Sequence, residues 1–122
     1  MRDFAFLTGS RVYGTPGAES DIDLVVLVDE EELPKLAKMA DNRADDGTVG
    51  DEHYPSGMSL RFGRLNLLCV TYAKHFDVWR QGTTELIERS RARVGQARTP
   101  VSRDEAIAHL NQLRTANKIE GW

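Results

Sequence analysis

Two aspartates two residues apart, Asp21 and Asp23, open an aliphatic run that continues to Val28. Because the side chains of a β-strand alternate between its faces, both carboxylates would point to one side and Ile22 to the other. Burying two carboxylates on one face of an apolar strand is costly without a cation. The spacing therefore predicts a site for a divalent metal, with Mg²⁺ (or Mn²⁺) as the cofactor and substrate phosphates as further ligands.

A polar loop that contains glycine precedes this strand and begins with Gly9 and Ser10. Glycine lets the backbone approach a ligand closely, successive N–H groups can form a concave anion site, and the serine hydroxyl adds a donor. Arg11 could reach a phosphate as a charged donor. Ser20, at the far end of the loop, could cap it or donate to the site. The loop is therefore a candidate phosphate-binding segment.

The two features combine into one pattern: Gly9-Ser10, ten further residues, and then Asp21-x-Asp23 with its aliphatic run. This GS-x10-DxD pattern resembles the signature of the minimal nucleotidyltransferases, small relatives of the DNA polymerase β superfamily. The resemblance implies transfer of a nucleoside monophosphate from a nucleoside triphosphate, with ATP as the first candidate, to a protein, an RNA or a small molecule. It also implies that the loop residues bind the nucleotide and that the two aspartates bind the metal and serve catalysis.

Simpler interpretations exist for some of these residues. Asp21 and Asp23 could cap the turn of a surface hairpin, although their position inside a Val/Leu-rich strand disfavours this. Tyr13 could stack on a base or fill the loop, and the structural role is slightly favoured. Four acidic residues at 29–32 are typical of a helix start, where they complement the helix dipole, rather than of a second metal site.

A third acid is expected on a neighbouring strand, because members of the superfamily use three carboxylates. In the apolar run Leu65–Val70 the polar residue is Asn66. An amide oxygen can contact a metal, but it cannot act as a general base or neutralise charge. Two hypotheses follow. The protein is an active enzyme that depends on positioning and electrostatics, with Asn66 in the catalytic set, or it is a catalytically impaired nucleotide- or protein-binding regulatory module.

A weaker resemblance concerns the middle of the chain. The segment Arg61–Leu67 and the Phe76-x-x-Trp79 motif are similar to those of phage-encoded predicted nucleotidyltransferases. This similarity implies that an asparagine at position 66 is typical of a subgroup. It would place the protein in the host cytoplasm.

The chain of 122 residues is long enough for one domain with a single core. We predict an α/β (α+β) fold with a small mixed sheet and helices packed against it, and without the N-terminal helix that most family members carry. The domain would span 1–122, with a catalytic-type core at 1–95 and a C-terminal helix at 100–120. The predicted strands are 4–8, 21–28, 58–62 and 65–71. Helices are predicted to begin at the acidic run 29–32, to span 72–90 with a possible break at Gly82, and to run from the capping box at Ser102 to about Ile119. Residues 41–57 would be a loop or irregular hairpin.

Charge is distributed unevenly around a net value of −3. Residues 1–60 hold five Lys/Arg and thirteen Asp/Glu, whereas residues 61–122 hold eleven and six. The basic half could bind a nucleotide, an acidic partner or nucleic acid, the last through the arginines at 89, 91, 93 and 98. Strong nucleic-acid binders are usually basic overall, so this option is weakly supported. A protein partner or acceptor is possible, but no sequence feature identifies it.

Hydropathy and cysteine content indicate a cytoplasmic protein. No apolar stretch reaches the length of a membrane span, and the N-terminus lacks the pattern of a signal peptide. The single cysteine, Cys69, lies in an apolar run and is expected to be a buried thiol, which suits a reducing compartment.

Overall fold

The computed structural model describes residues 4–14, 22–40, 42–44, 48–49, 52–53, 58–93 and 101–119. The strands are β1 (Ala5–Thr8), β2 (Ile22–Leu27), β3 (Asn42–Ala44), β4 (Thr48–Val49), β5 (Glu52–His53), β6 (Met58–Phe62) and β7 (Leu65–Val70). The helices are α1 (Ser10–Tyr13), α2 (Leu33–Met39), α3 (Ala73–Arg93) and α4 (Arg103–Ala116).

Within these residues, five strands form a mixed sheet in the order β1–β2–β7–β6–β3. β2 runs parallel to β7, whereas the pairs β1–β2, β6–β7 and β3–β6 are antiparallel. β4 and β5 form a separate antiparallel pair. The mixed sheet with its helices confirms the predicted α+β fold.

The sheet buries a different set of side chains on each face. On one face, Val25 and Leu68 pack with Phe76 of α3 and Leu110 of α4. On the other, a smaller cluster joins α2 to β6 and β7 through Leu33, Ala37, Leu60 and Cys69. Burying a side chain as large as Phe76 stabilises the fold by about 1.5–3 kcal/mol. Asp23 shares a face of β2 with Val25, so this is the side of the strand that faces α3.

Several local predictions differ from the structure. The predicted loop after β1 contains the short helix α1, and the acidic run at 29–32 precedes α2 instead of forming its first turn. The irregular hairpin predicted within 41–57 includes β4 and β5, but β3 joins the main sheet. Pairing of β3 with β6 was not evident from its short polar sequence, because edge strands gain much of their stability from the neighbouring strand.

Helix α3 continues through Gly82, where a break was considered. A Cβ atom at this position would lie 2.5 Å from a methyl carbon of Leu110 and 3.0 Å from one of Leu113. The glycine therefore allows α4 to approach α3 closely, and the burial of the two leucines outweighs its low helix propensity.

Helix α4 begins as its capping sequence predicts but ends earlier. The Glu105 N–H donates to Ser102 Oγ at 3.1 Å, which is the first half of a capping box. The helix ends at Ala116 rather than near residue 119, because Lys118 adopts a left-handed conformation with φ of 59°. None of the helices in the described ranges combines the length and apolarity needed to cross a membrane.

Candidate active site

Four polar residues lie side by side across four strands. Thr8 of β1 pairs with Asp23 of β2, Asp23 with Asn66 of β7, and Asn66 with Arg61 of β6. Directly paired residues share one face of the sheet, so all four lie on the same face, near the ends of their strands. Neighbouring strands are about 4.8 Å apart, which places the Arg61 backbone roughly 10 Å from that of Asp23. The sheet thus presents a polar row across one end.

Gly9 forms the turn that follows Thr8 and lies directly against Asp23. Its φ of 82° is in the left-handed region that favours glycine. A Cβ atom at this position would overlap Oδ2 of Asp23. The absence of a side chain therefore allows the carboxylate and the backbone of the turn to come into contact, as a shared cation–phosphate site requires.

Asn66 lies opposite Asp23 on the neighbouring parallel strand. Its Nδ2 donates a hydrogen bond of 3.1 Å to Oδ1 of Asp23. This bond orients the carboxylate, and Oδ2 lies on the side of Gly9. Since an amide carries no charge, Asn66 holds Asp23 without neutralising it.

Buried hydroxyl groups adjoin the turn. Thr8 and Thr83 are 4% and 2% exposed, and their Oγ1 atoms are 2.8 Å apart. The Thr8 side chain and the Gly9 backbone amide also hydrogen-bond the hydroxyl of Tyr13. Burial raises the pKa of Tyr13, the negative charge of Asp23 adds to the rise, and the two hydrogen bonds oppose it. Tyr13 is thus a protonated interior residue, which favours its structural role over stacking on a base.

The structure describes only some of the remaining predicted nucleotide-binding residues. Ser10 and Arg11 are exposed on α1, next to the Gly9 turn. Ser20 and Asp21 lie outside the residues that the structure describes. The contribution of Asp21 to the metal site therefore stays a prediction.

Two residues of this region were not among the sequence-based site candidates. The hairpin turn at Gly63-Arg64 fixes the pairing of β6 with β7, so the position of Arg61 opposite Asn66 could have been deduced. Thr83 gave no such signal, because it is separated from Thr8 by 75 residues. A polar residue on the apolar face of α3 was the only indication.

The carboxylate oxygens of Asp23 are ligands of the type that a hard divalent cation takes, because Mg²⁺ and Mn²⁺ prefer oxygen ligands. Within the described ranges, no group of three or more His, Cys, Asp and Glu side chains could hold a metal. Asp21, the second predicted ligand, lies outside these ranges.

Arginines of the predicted basic patch are engaged between the two long helices. Arg93 binds Glu105 through two hydrogen bonds of 2.7 Å, and Arg89 contacts the same carboxylate at 2.9 Å. Arg89 also lies 3.2 Å from Nδ1 of His109, whose Nε2 lies 2.9 Å from Glu85. The charges of Arg89 and Arg93 are paired with Glu105 between the helices, so they are less available to a polyanionic partner.

Comparison with known proteins gives one match. Residues 2–55 match the family model of the nucleotidyltransferase domain. The matched segment includes the complete GS-x10-DxD pattern but ends before β6, so Asn66 and Thr83 lie beyond it. Neither the search of curated proteins nor that of solved structures found a match.

Proposed function

We propose, from the match of residues 2–55 to the nucleotidyltransferase domain family, that the protein is a Mg²⁺-dependent nucleotidyltransferase. It would move a nucleoside monophosphate from a nucleoside triphosphate, with ATP as the first candidate, to a hydroxyl of a protein, an RNA or a small molecule. The observation that carries the proposal is the contact of the Asp23 carboxylate with the Gly9 turn. It brings a metal-ligand oxygen and a candidate phosphate-binding segment together.

Each residue of the site has a distinct proposed task. Asp23, with Asp21, would hold the cation, which when bound would neutralise phosphate charge in the transition state. Ser10 and Arg11 are exposed beside the turn and would bind phosphate oxygens as a neutral and a charged donor. Asn66 would keep the Asp23 carboxylate oriented through its 3.1 Å hydrogen bond.

Catalysis without a third carboxylate is physically reasonable for this reaction. Phosphoryl transfer requires little covalent chemistry from the protein and depends largely on positioning and electrostatic stabilisation. An acceptor hydroxyl could lose its proton to solvent once its oxygen is held in line with the bond that breaks. We therefore expect turnover to be slower than with a general base, since such a group commonly contributes 10²–10⁴-fold.

A second candidate function is nucleotide binding without turnover. The specific observation in its favour is that Asn66 occupies the position opposite Asp23, where the superfamily resemblance predicts an acid. In this case the protein would act as a regulatory module that recognises a metal–nucleotide complex or a protein partner.

Transfer of label from each of the four nucleoside triphosphates, with Mg²⁺ or Mn²⁺ and candidate acceptors, tests the proposal. We expect label transfer or pyrophosphate release that is lost in Asp23→Asn. The matched control is Asp29→Asn, which removes the same charge from an exposed residue just beyond β2. Binding of the metal–nucleotide complex without turnover would support the second candidate, and equal activity of Asp23→Asn and the wild type would overturn the proposed site.

Asn66→Asp separates the two candidates further. A second acid opposite Asp23 would repel its carboxylate but would strengthen binding of Mn²⁺, because the cation gains a charged ligand. If Asn66 marks a lost catalytic acid, this change should raise the transfer rate as well as Mn²⁺ affinity. If Asn66 serves the wild-type reaction as an orienting donor, Mn²⁺ affinity should rise while the transfer rate falls.

A further inference from the structure

A buried pair of hydroxyl groups connects the middle of α3 to the end of β1. Thr8 and Thr83 are almost completely buried, and their Oγ1 atoms are 2.8 Å apart. A buried hydroxyl without a partner is destabilising, so Thr83 depends on Thr8, whose hydroxyl also contacts that of Tyr13. Two valines of similar shape would fill the same space, so packing alone does not account for the pair.

The hydroxyl pair lies next to the Gly9 turn and Asp23. Thr8 precedes Gly9 in the chain and is the direct partner of Asp23 on the neighbouring strand. Any movement of the Thr8 backbone would therefore move the turn relative to the Asp23 carboxylate. A directional hydrogen bond fixes the position of Thr8 in a way that apolar contacts do not.

The part of α3 that carries Thr83 is tightly packed. Thr83 follows Gly82, at which α4 comes into contact with α3 through Leu110 and Leu113. Leu86, one turn further along, is completely buried in the same core. The hydroxyl of Thr83 is consequently presented by a part of α3 that is packed between the sheet and α4.

We propose that Thr83 is a positioning residue, which holds the Gly9–Ser10 turn against Asp23 through its hydrogen bond to Thr8. The segment beyond the matched residues 2–55 thereby sets the geometry of the site within them. The effect on nucleotide binding rests on the proposed function, whereas the effect on the turn does not. The two consequences can therefore be measured separately.

The first measurement is amide hydrogen exchange in the turn. The N–H groups of Val12 and Tyr13 donate to the Gly9 carbonyl at 3.1 and 3.3 Å. In Thr83→Val we expect these amides to exchange about tenfold faster, the effect of losing one hydrogen bond of about 1.4 kcal/mol. Amides of α4 should keep their wild-type rates. Thr83→Ser, which retains the hydroxyl, should restore protection, and Thr84→Val is the matched exposed control on the same helix.

The second measurement is affinity for Mn²⁺ with α,β-methylene-ATP, which cannot release its nucleotidyl group. We expect about tenfold weaker binding in Thr83→Val and wild-type affinity in Thr83→Ser and Thr84→Val. If the wild type binds no nucleotide, the proposed function fails, and the exchange measurement still decides the role of Thr83.

A double variant distinguishes positioning from a merely structural role. Thr8→Val also removes the Thr8 contact of the Tyr13 hydroxyl, so the double variant Thr8→Val with Thr83→Val is compared in a Tyr13→Phe background. No hydroxyl of the three residues is then left unpaired, and stability should recover towards that of the Tyr13→Phe parent. A positioning role predicts that the fast exchange at Val12 persists in this double variant. Recovery of wild-type exchange there, or unchanged exchange in Thr83→Val alone, would overturn the proposal.

Discussion

Asp23 and Glu105 are carboxylates that the fold treats in different ways. Glu105, between α3 and α4, accepts three hydrogen bonds from the guanidinium groups of Arg89 and Arg93. Asp23, at the end of the sheet, accepts a hydrogen bond from the neutral amide of Asn66 and lies against the Gly9 turn. The first carboxylate is paired with two guanidinium groups, whereas the Asn66 amide that orients the second carries no charge.

This difference distinguishes Glu105, a carboxylate with a structural role, from Asp23, a carboxylate that is placed to bind a ligand under the proposed function. Arginine pairing lowers the pKa of Glu105 to about 2, so this carboxylate is ionised and satisfied across the physiological range. At the sheet end, the neutral groups in contact include an amide, two threonine hydroxyls and the tyrosine hydroxyl. Such neutral donors fix geometry without adding positive charge, which would suit the proposed metal–nucleotide site.

The largest effect is expected from Gly9→Ala. A side chain at a φ of 82° costs about 1–2 kcal/mol, and overlap with the Asp23 carboxylate adds an overpacking cost of about 1–3 kcal/mol. We expect the free energy of unfolding to fall by about 2–5 kcal/mol and binding of Mn²⁺ with α,β-methylene-ATP to be lost. Chemical denaturation and titration calorimetry measure the two quantities.

Gly82→Ala is the matched control, because it adds the same methyl group in the helix pair. Overpacking against Leu110 and Leu113 should cost about 1–3 kcal/mol, partly offset by about 1 kcal/mol of helix propensity. Binding should be retained wherever the variant is folded. Equal loss of affinity in both glycine variants would show that the two regions are not distinct in function.

A smaller effect is expected from Glu105→Gln, on stability alone. The folded-state pKa of Glu105 lies below its usual value of 4.5, so the ion pairs stabilise the fold above about pH 4.5. This contribution is lost as the pH falls from 4.5 to about 2. We expect Tm to fall by a few degrees at pH 7, since Glu105 is partly exposed and solvent screens the pairs. Thermal melts of both proteins across this pH range should converge at the acidic end.

Asp104→Asn provides the comparison for this change. Asp104 is also in the first turn of α4, but it is exposed. Its removal should alter Tm less and show a weaker pH dependence. If Glu105→Gln weakened nucleotide binding as strongly as it lowered Tm, the separation between structural and ligand-directed carboxylates would be wrong.

Local sequence patterns were sufficient for most of the elements and for the Gly9–Asp23 region. The aliphatic run within 22–27 and the two-residue turn at 63–64 are local features of the sequence, so the strands and the hairpin could be predicted. Once β2 and β7 are assigned, the apolar–polar–apolar pattern places Asn66 beside Asp23. These inferences use only the period of a strand and the geometry of a turn.

Contacts between distant segments were not accessible in this way. The Ser102 cap was predicted from its neighbours, but Glu105, the expected reciprocal partner, turns to Arg89 and Arg93 on α3. The reason is energetic, because two charged donors bind a carboxylate more strongly than one backbone N–H does. Thr83 illustrates the same limit, since its partner depends on how α3 crosses the sheet.

Cys69 extends the comparison to the two faces of one strand. It lies three residues after Asn66 in β7 but on the face covered by α2. Burial raises the pKa of its thiol to about 12. We expect no reaction with a disulfide reagent at pH 8 in the native protein and complete reaction of one thiol per chain in denaturant.

The neutral thiol contributes to stability fully below its ordinary pKa of 9.0, and the contribution is lost as the pH rises towards 12. Cys69→Ala should therefore reduce alkaline destabilisation without abolishing it, because Tyr13 also has a raised pKa. Rapid native labelling of Cys69 at pH 8 would contradict the burial of this thiol between β7 and α2.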